Sequence, residues 1–404
     1  MRRALLSLLL VALAARVHAG QAQTPVKVTE AELQRIERAP SAKFPWKTAA
    51  PAPTKKAGGD EAVMDLNSSD IIIKALGDFS REEKQGKEVL TLTQDVEIEQ
   101  IPTQSVLRGQ KIRVIRDVKS GQTELLEASG GVEVVTAERR GRGELLTYET
   151  RFGPEGQVTK DMYTIEGDPR KGTRAVLWQG EDVIEAERFV NDRRLDTFRV
   201  IGGPVAILTI PGTPEAAPPA EVVGGQKGGG LLPTVSLSAG GKIRMKADGE
   251  MFYEGASGRV RITRNVVMQQ DAPTGGPAMQ LASDETTISL LLPPPGQPAS
   301  ASVFSGTLKA LECNGRVEMK TATSTILCDR VTIDVQKKVL HMEMKNAKDE
   351  VRVYMRDKNM VMIAPKRLTV NLDTRETEAA GPQRIESFTG TPPSNRAAAP
   401  APKK

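Results

Sequence analysis

Apolar and charged residues alternate with a period of two along most of this chain, and this pattern restricts its fold more than any other feature. The alternation is clear in residues 91–99, 131–134, 316–319, 351–355 and 367–372. Successive side chains of a β-strand point to opposite faces of a sheet, so each segment presents one apolar face and one charged face. Long segments with helical periodicity are nearly absent. The sequence therefore predicts an all-β fold built from antiparallel sheets.

The N-terminal residues 1–19 have the pattern of a cleaved signal peptide. Arg2 and Arg3 precede an apolar stretch at residues 4–15, and Val17-His18-Ala19 has the small-x-small pattern of a cleavage site. The apolar stretch is shorter than the roughly 20 residues that span a bilayer. We therefore expect an exported protein located in the periplasm, with a retained membrane anchor as the alternative.

Three further segments have compositions that do not support a folded core. Residues 20–65 are rich in Ala, Pro, Lys and Thr and predict a disordered lead-in, within which the capping box Thr29-Glu30-Ala31-Glu32 allows one short helix. Residues 211–234 are rich in Pro and Gly and predict a linker. Residues 381–404 predict a disordered tail. Two folded halves are left, at residues 66–210 and 235–380.

Composition excludes several classes of function. The net charge is +5, but 53 basic and 51 acidic residues remain once Arg2, Arg3 and Arg16 leave with the signal peptide. With only 3% aromatic residues, this balance argues against nucleic-acid binding. His341 is the one histidine outside the signal peptide, so a site with two or three histidine ligands is excluded. We find no phosphate-binding loop, dinucleotide fingerprint or nucleophile elbow, and we expect no enzyme activity and no cofactor.

The two halves resemble each other in sequence. A shift of 185 residues places residues 125–149 on residues 310–334 without a gap. Gly130 then falls on Gly315, Val132-Glu133 on Val317-Glu318, and Thr136-Ala137 on Thr321-Ala322. The matched small, apolar and acidic positions indicate an internal duplication.

The repeated unit reads small-x-Gly-x-Val-x-apolar, then a polar hairpin, then apolar-x-Tyr-acidic or a similar ending. Its clearest copy starts at Cys313-Asn314-Gly315-Arg316-Val317 and continues to residues 327–334. Residues 89–100, followed by residues 107–114, form a candidate opening hairpin. This pattern resembles the OstA-like family of periplasmic lipopolysaccharide transport proteins, which includes LptA, LptC and the N-terminal domain of LptD.

The resemblance implies two tandem β-jellyrolls that hold lipid acyl chains between their sheets. It also implies that such units stack by their sheet edges with other OstA-like envelope proteins, and that lipopolysaccharide or a similar lipid is carried to the outer membrane. The presence of two units in one chain departs from the family pattern. This departure leaves open whether the protein bridges, docks or only binds lipid.

The alternation identifies a set of inward-facing residues as candidates for a lipid groove. In the first half they are Val96, Ile98, Ile112, Val114, Val132, Val134, Leu146 and Tyr148, and in the second half Val317, Met319, Val331, Ile333, Val351, Val353, Leu368 and Val370. The alternative is that these side chains pack against each other as a closed core. Methionines on the strands favour a pliable apolar surface. The basic residues Arg108, Lys111 and Arg113 either meet lipid phosphates or form a solvated strand face.

Cys313 and Cys328 flank a predicted hairpin centred near Lys320-Thr321. A regular antiparallel ladder about this centre places them directly opposite each other, which permits a disulfide in an exported protein. Two reduced buried thiols are the alternative. The direct pairing gives Cys328 and Val331 conflicting faces, which a β-bulge near Asp329-Arg330 corrects.

Two other functions compete with lipid transport. The first is an envelope scaffold whose sheets stack without lipid, and the second is a β-rich polysaccharide hydrolase that uses paired carboxylates. A fully packed interior favours the scaffold.

Overall fold

The computed structural model describes residues 71–100, 105–136, 139–209, 242–270, 279–292, 307–321, 324–346, 348–356, 358–372, 374, 376–390 and 392. The predicted signal peptide (1–19), lead-in (20–65) and linker (211–234) lie outside these residues.

The described residues are almost entirely β-structure, and the predicted all-β antiparallel class is confirmed. Apart from the strands they contain two single-turn 3-10 helices, Pro169–Lys171 and Gly255–Ser257. The chain divides into two compact units. Described residues 71–204 and 252–256 belong to the first unit, and 205–251 and 257–392 belong to the second.

The strands of the first unit are β1 (Ile71–Lys74), β2 (Phe79–Lys84), β3 (Lys87–Gln100), β4 (Ser105–Asp117), β5 (Thr123–Val135), β6 (Arg139–Phe152), β7 (Val158–Glu166), β8 (Ala175–Gln179), β9 (Asp182–Ala186), β10 (Arg188–Asp192) and β11 (Thr197–Ile201). Most of β14 (Met251–Glu254) also belongs to this unit.

The strands of the second unit are β12 (Val205–Thr209), β13 (Lys242–Lys246), β15 (Arg259–Gln270), β16 (Met279–Leu291), β17 (Thr307–Lys320), β18 (Ser324–Asp334), β19 (Val339–Glu343), β20 (Glu350–Met355), β21 (Met360–Pro365), β22 (Arg367–Asn371), β23 (Thr377–Ala379) and β24 (Arg384–Ser387).

Four long strands, β3 to β6, form the centre of the first unit. They pair in sequence order, so the predicted hairpin of residues 89–100 with 107–114 is present as β3 and β4. Each pairing shifts register near the middle of the strands, at Gln94-Asp95, Gly109-Gln110 and Gly130-Gly131. Such β-bulges bend a strand, so each long strand is divided into two arms.

The outer strands of the first unit pair with only one arm each. β2 pairs with residues 87–92 of β3, and β1 pairs with residues 97–100. Likewise β7 pairs with residues 145–152 of β6, while β8 pairs with residues 139–142. β10 and β11 then extend the arm that contains β7, and β9 extends the arm that contains β8. The bulges therefore mark a line from which two sheet segments diverge.

The second unit repeats this arrangement. β15 to β18 pair in order, β18 divides between β19 and β20, and β22 extends the arm of β19. The ladder of β17 and β18 has the register of β5 and β6 moved by 185 residues. Leu125 opposite Glu149 corresponds to Ala310 opposite Asp334, and the bulge at Gly130-Gly131 corresponds to the one at Gly315-Arg316. The sequence repeat is thus a repeat of strand pairing.

The predicted disordered tail needs correction at its start. β24 lies within residues 381–404 and pairs with β21. Arg384 on β24 forms an ion pair with Glu350 at 2.8 Å, and Phe388 contacts the ring of Tyr354 edge-on at a centroid distance of 5.3 Å. Composition did not reveal this strand because its stabilising partners lie on other strands, β20 and β21.

The bulge glycines supply a direct test of the bent strands. Gly130 has a φ of +82°, and a Cβ there would lie 2.7 Å from Cβ of Gln110, whereas Gly131 has a φ of +70° and an open surrounding. Gly131→Ala should cost about 1–2 kcal/mol from left-handed backbone strain alone. Gly130→Ala should cost at least about 1 kcal/mol more, because Gln110 must also move. Denaturant unfolding monitored by circular dichroism measures both. Equal losses for the two variants would contradict the close approach at this bulge.

Candidate functional site

The sixteen residues predicted to face inward occupy the inner faces of the two units. Fifteen of them are no more than 5% exposed, and Tyr148 is half-buried. They lie in rows that run across the strands, because residues on neighbouring strands pair directly and share a face. We call these rows rungs.

The rungs of the first unit are continuous from strand to strand. One joins Phe79, Leu92, Ile112, Ala128, Leu146, Ile165, Phe189 and Val200, the next joins Leu90, Val114, Leu126, Tyr148, Tyr163, Asn191 and Phe198, and a third, beyond the bulges, joins Ile73, Ile98, Leu107, Val134, Gly141, Leu177 and Ile184. All of these positions except Tyr148, Tyr163 and Asn191 are apolar or glycine, so each arm has a largely apolar inner face.

The second unit has rungs of the same kind. One joins Ile385, Met362, Val353, Ile326, Met319, Leu281, Met268, Met245 and Ala206, a second joins Val260, Ile288, Leu311, Ile333, Leu340 and Val370, and a third joins Ile262, Thr286, Cys313, Val331, Met342, Leu368 and Ala379. Buried methionines recur in these rungs. The buried apolar residues of the first unit, within the part of the chain described, include no methionine.

Several rungs end in an exposed apolar residue at a sheet edge. Phe79 on β2 is 61% exposed, Ile73 on β1 is 50% exposed, and Ile385 on β24 is 48% exposed. Each pairs directly with a buried inner residue, respectively Leu92, Ile98 and Met362. The apolar inner faces therefore reach solvent at the first and last strands of the described chain.

Away from these edges most inner positions are shielded from water, and Tyr148 is half-buried. The inner positions are sealed by the protein's own side chains, as a packed core requires. The packing that the sequence left as an alternative to a groove is therefore present at these positions. Eight of the strand methionines are buried: Met245, Met251, Met268, Met279, Met319, Met342, Met355 and Met362.

Lys111 and Arg113 lie on the outer face because they alternate with the buried Ile112 and Val114. Arg108 precedes the bulge and lies on the outer face because it alternates with the buried Leu107 and Gly109. Arg108 contacts Glu97 at 2.8 Å and Glu133 at 3.1 Å. These three basic residues therefore do not face the apolar interior.

An ion-pair ladder on the outer face of the first unit includes Arg108. Glu97 also accepts from Lys74 at 2.8 Å, and Glu133 also accepts from Arg140, whose guanidinium lies 5.3 Å from the ring centre of Trp178. Hydrogen bonds from Lys74 and Arg108 outweigh the effect of burial and lower the pKa of Glu97. The ladder ties edge strand β1 to the central strands.

The predicted direct pairing of Cys313 with Cys328 is wrong in register. Cys313 lies opposite Val331, and Cys328 lies opposite Val317. A bulge does restore one apolar face, as expected, but its extra residue is on β17, at Gly315-Arg316, opposite Asp329. Both cysteines are free thiols, fully buried, so the second alternative is the one present. Burial raises the pKa of Cys313 to about 12 and raises the pKa of Cys328 as well.

A polar cluster on the inner face of the first unit was missed by the sequence reasoning. Tyr163 and Asp161 lie on β7, opposite Tyr148 and Thr150 of β6, and Arg193 follows β10. The rings of Tyr148 and Tyr163 stack at a centroid distance of 4.1 Å, and Arg193 Nη1 lies 2.9 Å from a carboxylate oxygen of Asp161. The alternation of Asp161, Tyr163 and Ile165 was the available signal. It predicts the strand, but not which strands it contacts.

Other chemical sites are scarce in the part of the chain described. His341 lies half-buried on β19 with Nδ1 3.0 Å from Oγ1 of Thr369. Among described residues, no cluster of three or more His, Cys, Asp or Glu side chains suits a metal ion.

A surface cavity of about 460 Å³ in the second unit is lined by residues that include Glu343, Lys366 and Arg367, so it does not suit a hydrocarbon chain. Within the described residues, no helix has the length and apolar character needed to cross a membrane.

Comparison with known proteins gives distant similarity to solved structures. No protein-family model matches the chain, and no curated protein sequence matches it. A solved structure that it resembles is LptH, the LptA-homologous periplasmic component of the conserved lipopolysaccharide transport device of Pseudomonas aeruginosa. The overlap has 17% sequence identity, a TM-score of 0.24, and covers 39% of this chain and 94% of that chain. At these values the likeness decides nothing about ligand or partner.

The thiol assignment is testable by chemical labelling. Since burial raises the thiol pKa values and blocks access, neither cysteine should react with a maleimide in the native protein at pH 8. Both should react after denaturation without any reductant, which mass spectrometry would count as two added labels. A denatured protein that takes up label only after reduction would contradict the free-thiol state.

Proposed function

We propose that this protein is a non-enzymatic periplasmic lipid carrier. Within each unit, the acyl chains of lipopolysaccharide or a similar lipid would be shielded between the two sheet segments of that unit. Lipid would enter at the exposed ends of the rungs, and the protein would assist the transport of this lipid to the outer membrane. The pattern of the sequence, which resembles the OstA-like family, supports the class of ligand. The observation that carries the proposal is the continuity of the apolar rungs from buried positions to the exposed Phe79, Ile73 and Ile385.

The physical requirement for such a carrier is a dry apolar surface. Exposing an acyl chain of about 12 carbons to water costs on the order of 10 kcal/mol, at about 0.8 kcal/mol per methylene. Inner faces made of valine, isoleucine, leucine and methionine offer that surface. The unbranched methionines of the second unit adapt their shape to a neighbour more readily than branched side chains do. These methionines would allow the interior of the second unit to repack around a hydrocarbon chain.

We propose that partner proteins bind at the free sheet edges. Among the described residues, β1 and β2 pair only with β3, and β24 pairs only with β21, so each has one side without a strand neighbour in the part of the chain described. Leu76, between β1 and β2, is 72% exposed and adds to the apolar character of the first edge. An edge strand with exposed apolar residues invites pairing with another sheet. Stacking there would join the apolar inner face of one sheet to that of the next.

An envelope scaffold is the second candidate, and the closed interior favours it. The fifteen buried inner residues already contact protein atoms and not an open channel. In this alternative the edges stack, and the inner faces serve only as a core.

Photo-crosslinking at the edges separates the two functions. A benzophenone-bearing phenylalanine at Phe79 places the probe at the inner end of a rung, while the same residue at Ser80 points it to the other face of the same exposed strand. Ile385 and Glu386 on β24 form a second matched pair. For a lipid carrier, crosslinking in living cells should attach lipopolysaccharide at positions 79 and 385 several times more than at positions 80 and 386. Equal or no attachment at all four positions would contradict the carrier and leave the scaffold.

Edge stacking has a separate test. Phe79→Lys places a charge on the apolar edge, which is how natural sheets discourage pairing. Light scattering after size-exclusion chromatography should show a mass that rises with concentration for the wild type and a smaller rise for Phe79→Lys. Glu82→Lys on the same exposed strand is the control and should retain most of the wild-type association. A concentration-dependent mass unaffected by Phe79→Lys would contradict stacking through this edge.

A further inference from the structure

One rung of the first unit is polar where the same fold in the second unit is apolar. Tyr148, Tyr163 and Asn191 lie directly opposite one another on β6, β7 and β10. The equivalent residues of the second unit, by matching strand and register, are Ile333, Leu340 and Val370. All three of these are buried. The fold therefore does not require polar side chains at these positions.

The polar character extends one rung further toward the tip of the hairpin between β6 and β7. Thr150 lies opposite Asp161, and the backbone N–H of Arg193 donates to the carbonyl of Asp161 at 2.9 Å. The guanidinium of Arg193 contacts the Asp161 carboxylate and lies 5.9 Å from the ring centre of Tyr163. Arg193 and Asp161 are 12% and 15% exposed at their side chains, so the pair is held at the border of the interior.

Several groups of this cluster are placed in unfavourable surroundings. Thr150 is 4% exposed, and its side chain interacts with the hydroxyl of Tyr148. Burial raises the pKa of Asp161 even though Arg193 opposes this, and burial raises the pKa of Tyr148. The second unit has apolar residues in place of Tyr148, Tyr163 and Asn191, so the polar character of this rung points to a role outside folding.

We infer that Tyr148, Asp161 and Arg193 bind the hydroxyl-bearing sugar part of an amphiphile whose acyl chains lie on the adjacent apolar rungs. This inference rests on the proposed lipid-carrier function and specifies where the polar end of the ligand sits. The Asp161 carboxylate accepts hydrogen bonds from sugar hydroxyls, and Arg193 donates to ring or hydroxyl oxygens. Tyr148 is half-buried, so part of its ring is available for packing against a sugar face.

The charge of the cluster favours a sugar over a phosphate. The positive charge of Arg193 is already neutralised by Asp161, so a phosphate would have to approach that carboxylate. Neutral hydroxyls meet no such repulsion and use donors and acceptors together. The apolar rung of Leu146, Ile165 and Phe189 lies immediately beside the cluster and continues the site for hydrocarbon.

The test compares two lipids that share acyl chains and differ in the polar part. Binding of a glucosyl diacylglycerol and of the corresponding diacylglycerol, each at low concentration in detergent, is measured for the full chain by tryptophan fluorescence or by co-purification. The wild type should bind the glycolipid more tightly. Asp161→Asn should weaken glycolipid binding by about 10- to 100-fold, as expected for lost hydrogen bonds to a charged group, and change diacylglycerol binding less than about twofold.

Two further variants keep the test decisive if Asp161→Asn folds poorly. Tyr148→Phe removes one hydroxyl and keeps the ring, and it should reduce the preference for the glycolipid. Glu149→Gln is the matched control, because Glu149 neighbours Tyr148 on β6 but forms its ion pair with Lys160 on the opposite face. It should leave both affinities unchanged.

The outcomes separate this inference from the proposed function. Equal wild-type affinity for the two lipids, or equal weakening of both by Asp161→Asn and Tyr148→Phe, would overturn the sugar site while lipid binding stands. Failure of the wild type to bind either lipid would overturn both proposals.

Discussion

The alignment of apolar residues into rungs is the constraint on which the rest of this structure depends. A register slip of one residue would turn the whole apolar set of a strand to the outside, so the β-bulges have to add residues without losing the common face. At Gly130 and Gly315 this is done in the left-handed backbone region, where glycine carries the least strain. The bent strands then continue into different outer strands on each side of the bulge, which gives every unit two apolar arms.

The two units share this frame, but their interiors differ. The pairing of β5 with β6 and that of β17 with β18 agree residue by residue at a shift of 185 positions. Within that common frame, Ala128 corresponds to Cys313, and Tyr148 corresponds to Ile333. The second unit is rich in buried methionine, and the first unit carries the Tyr148–Asp161–Arg193 cluster. Differences of this kind are informative because the backbone pairing is held constant, so they reflect what each interior contacts and not how it folds.

Local sequence patterns predicted much of the fold, but they did not show which distant strands pair with each other. Alternation identified the strands and the inner set, of which only Tyr148 is less than fully buried. The cysteine pairing failed because it centred the hairpin near Lys320-Thr321, whereas Lys320 pairs with Thr325, and this register places Cys328 opposite Val317. The bulge at Gly315-Arg316 then shifts Cys313 opposite Val331. The Asp161–Arg193 pair and strand β24 were missed for another reason. Their partners come from other strands, and no short segment of sequence records which strands become neighbours.

In the proposed carrier role, an acyl chain must compete with the side chains that already pack against each other in the interior. An acyl chain that enters gains on the order of 10 kcal/mol by leaving water, but it must replace contacts that the inner side chains already make with each other. The net gain is largest where the resident side chains repack at low cost and where the apolar surface is already exposed. The methionine-rich rungs of the second unit meet the first condition, and the rung ends at Phe79, Ile73 and Ile385 meet the second. Lipid contact should therefore begin at the edges and extend inward along the rungs, since no open channel is needed for this path.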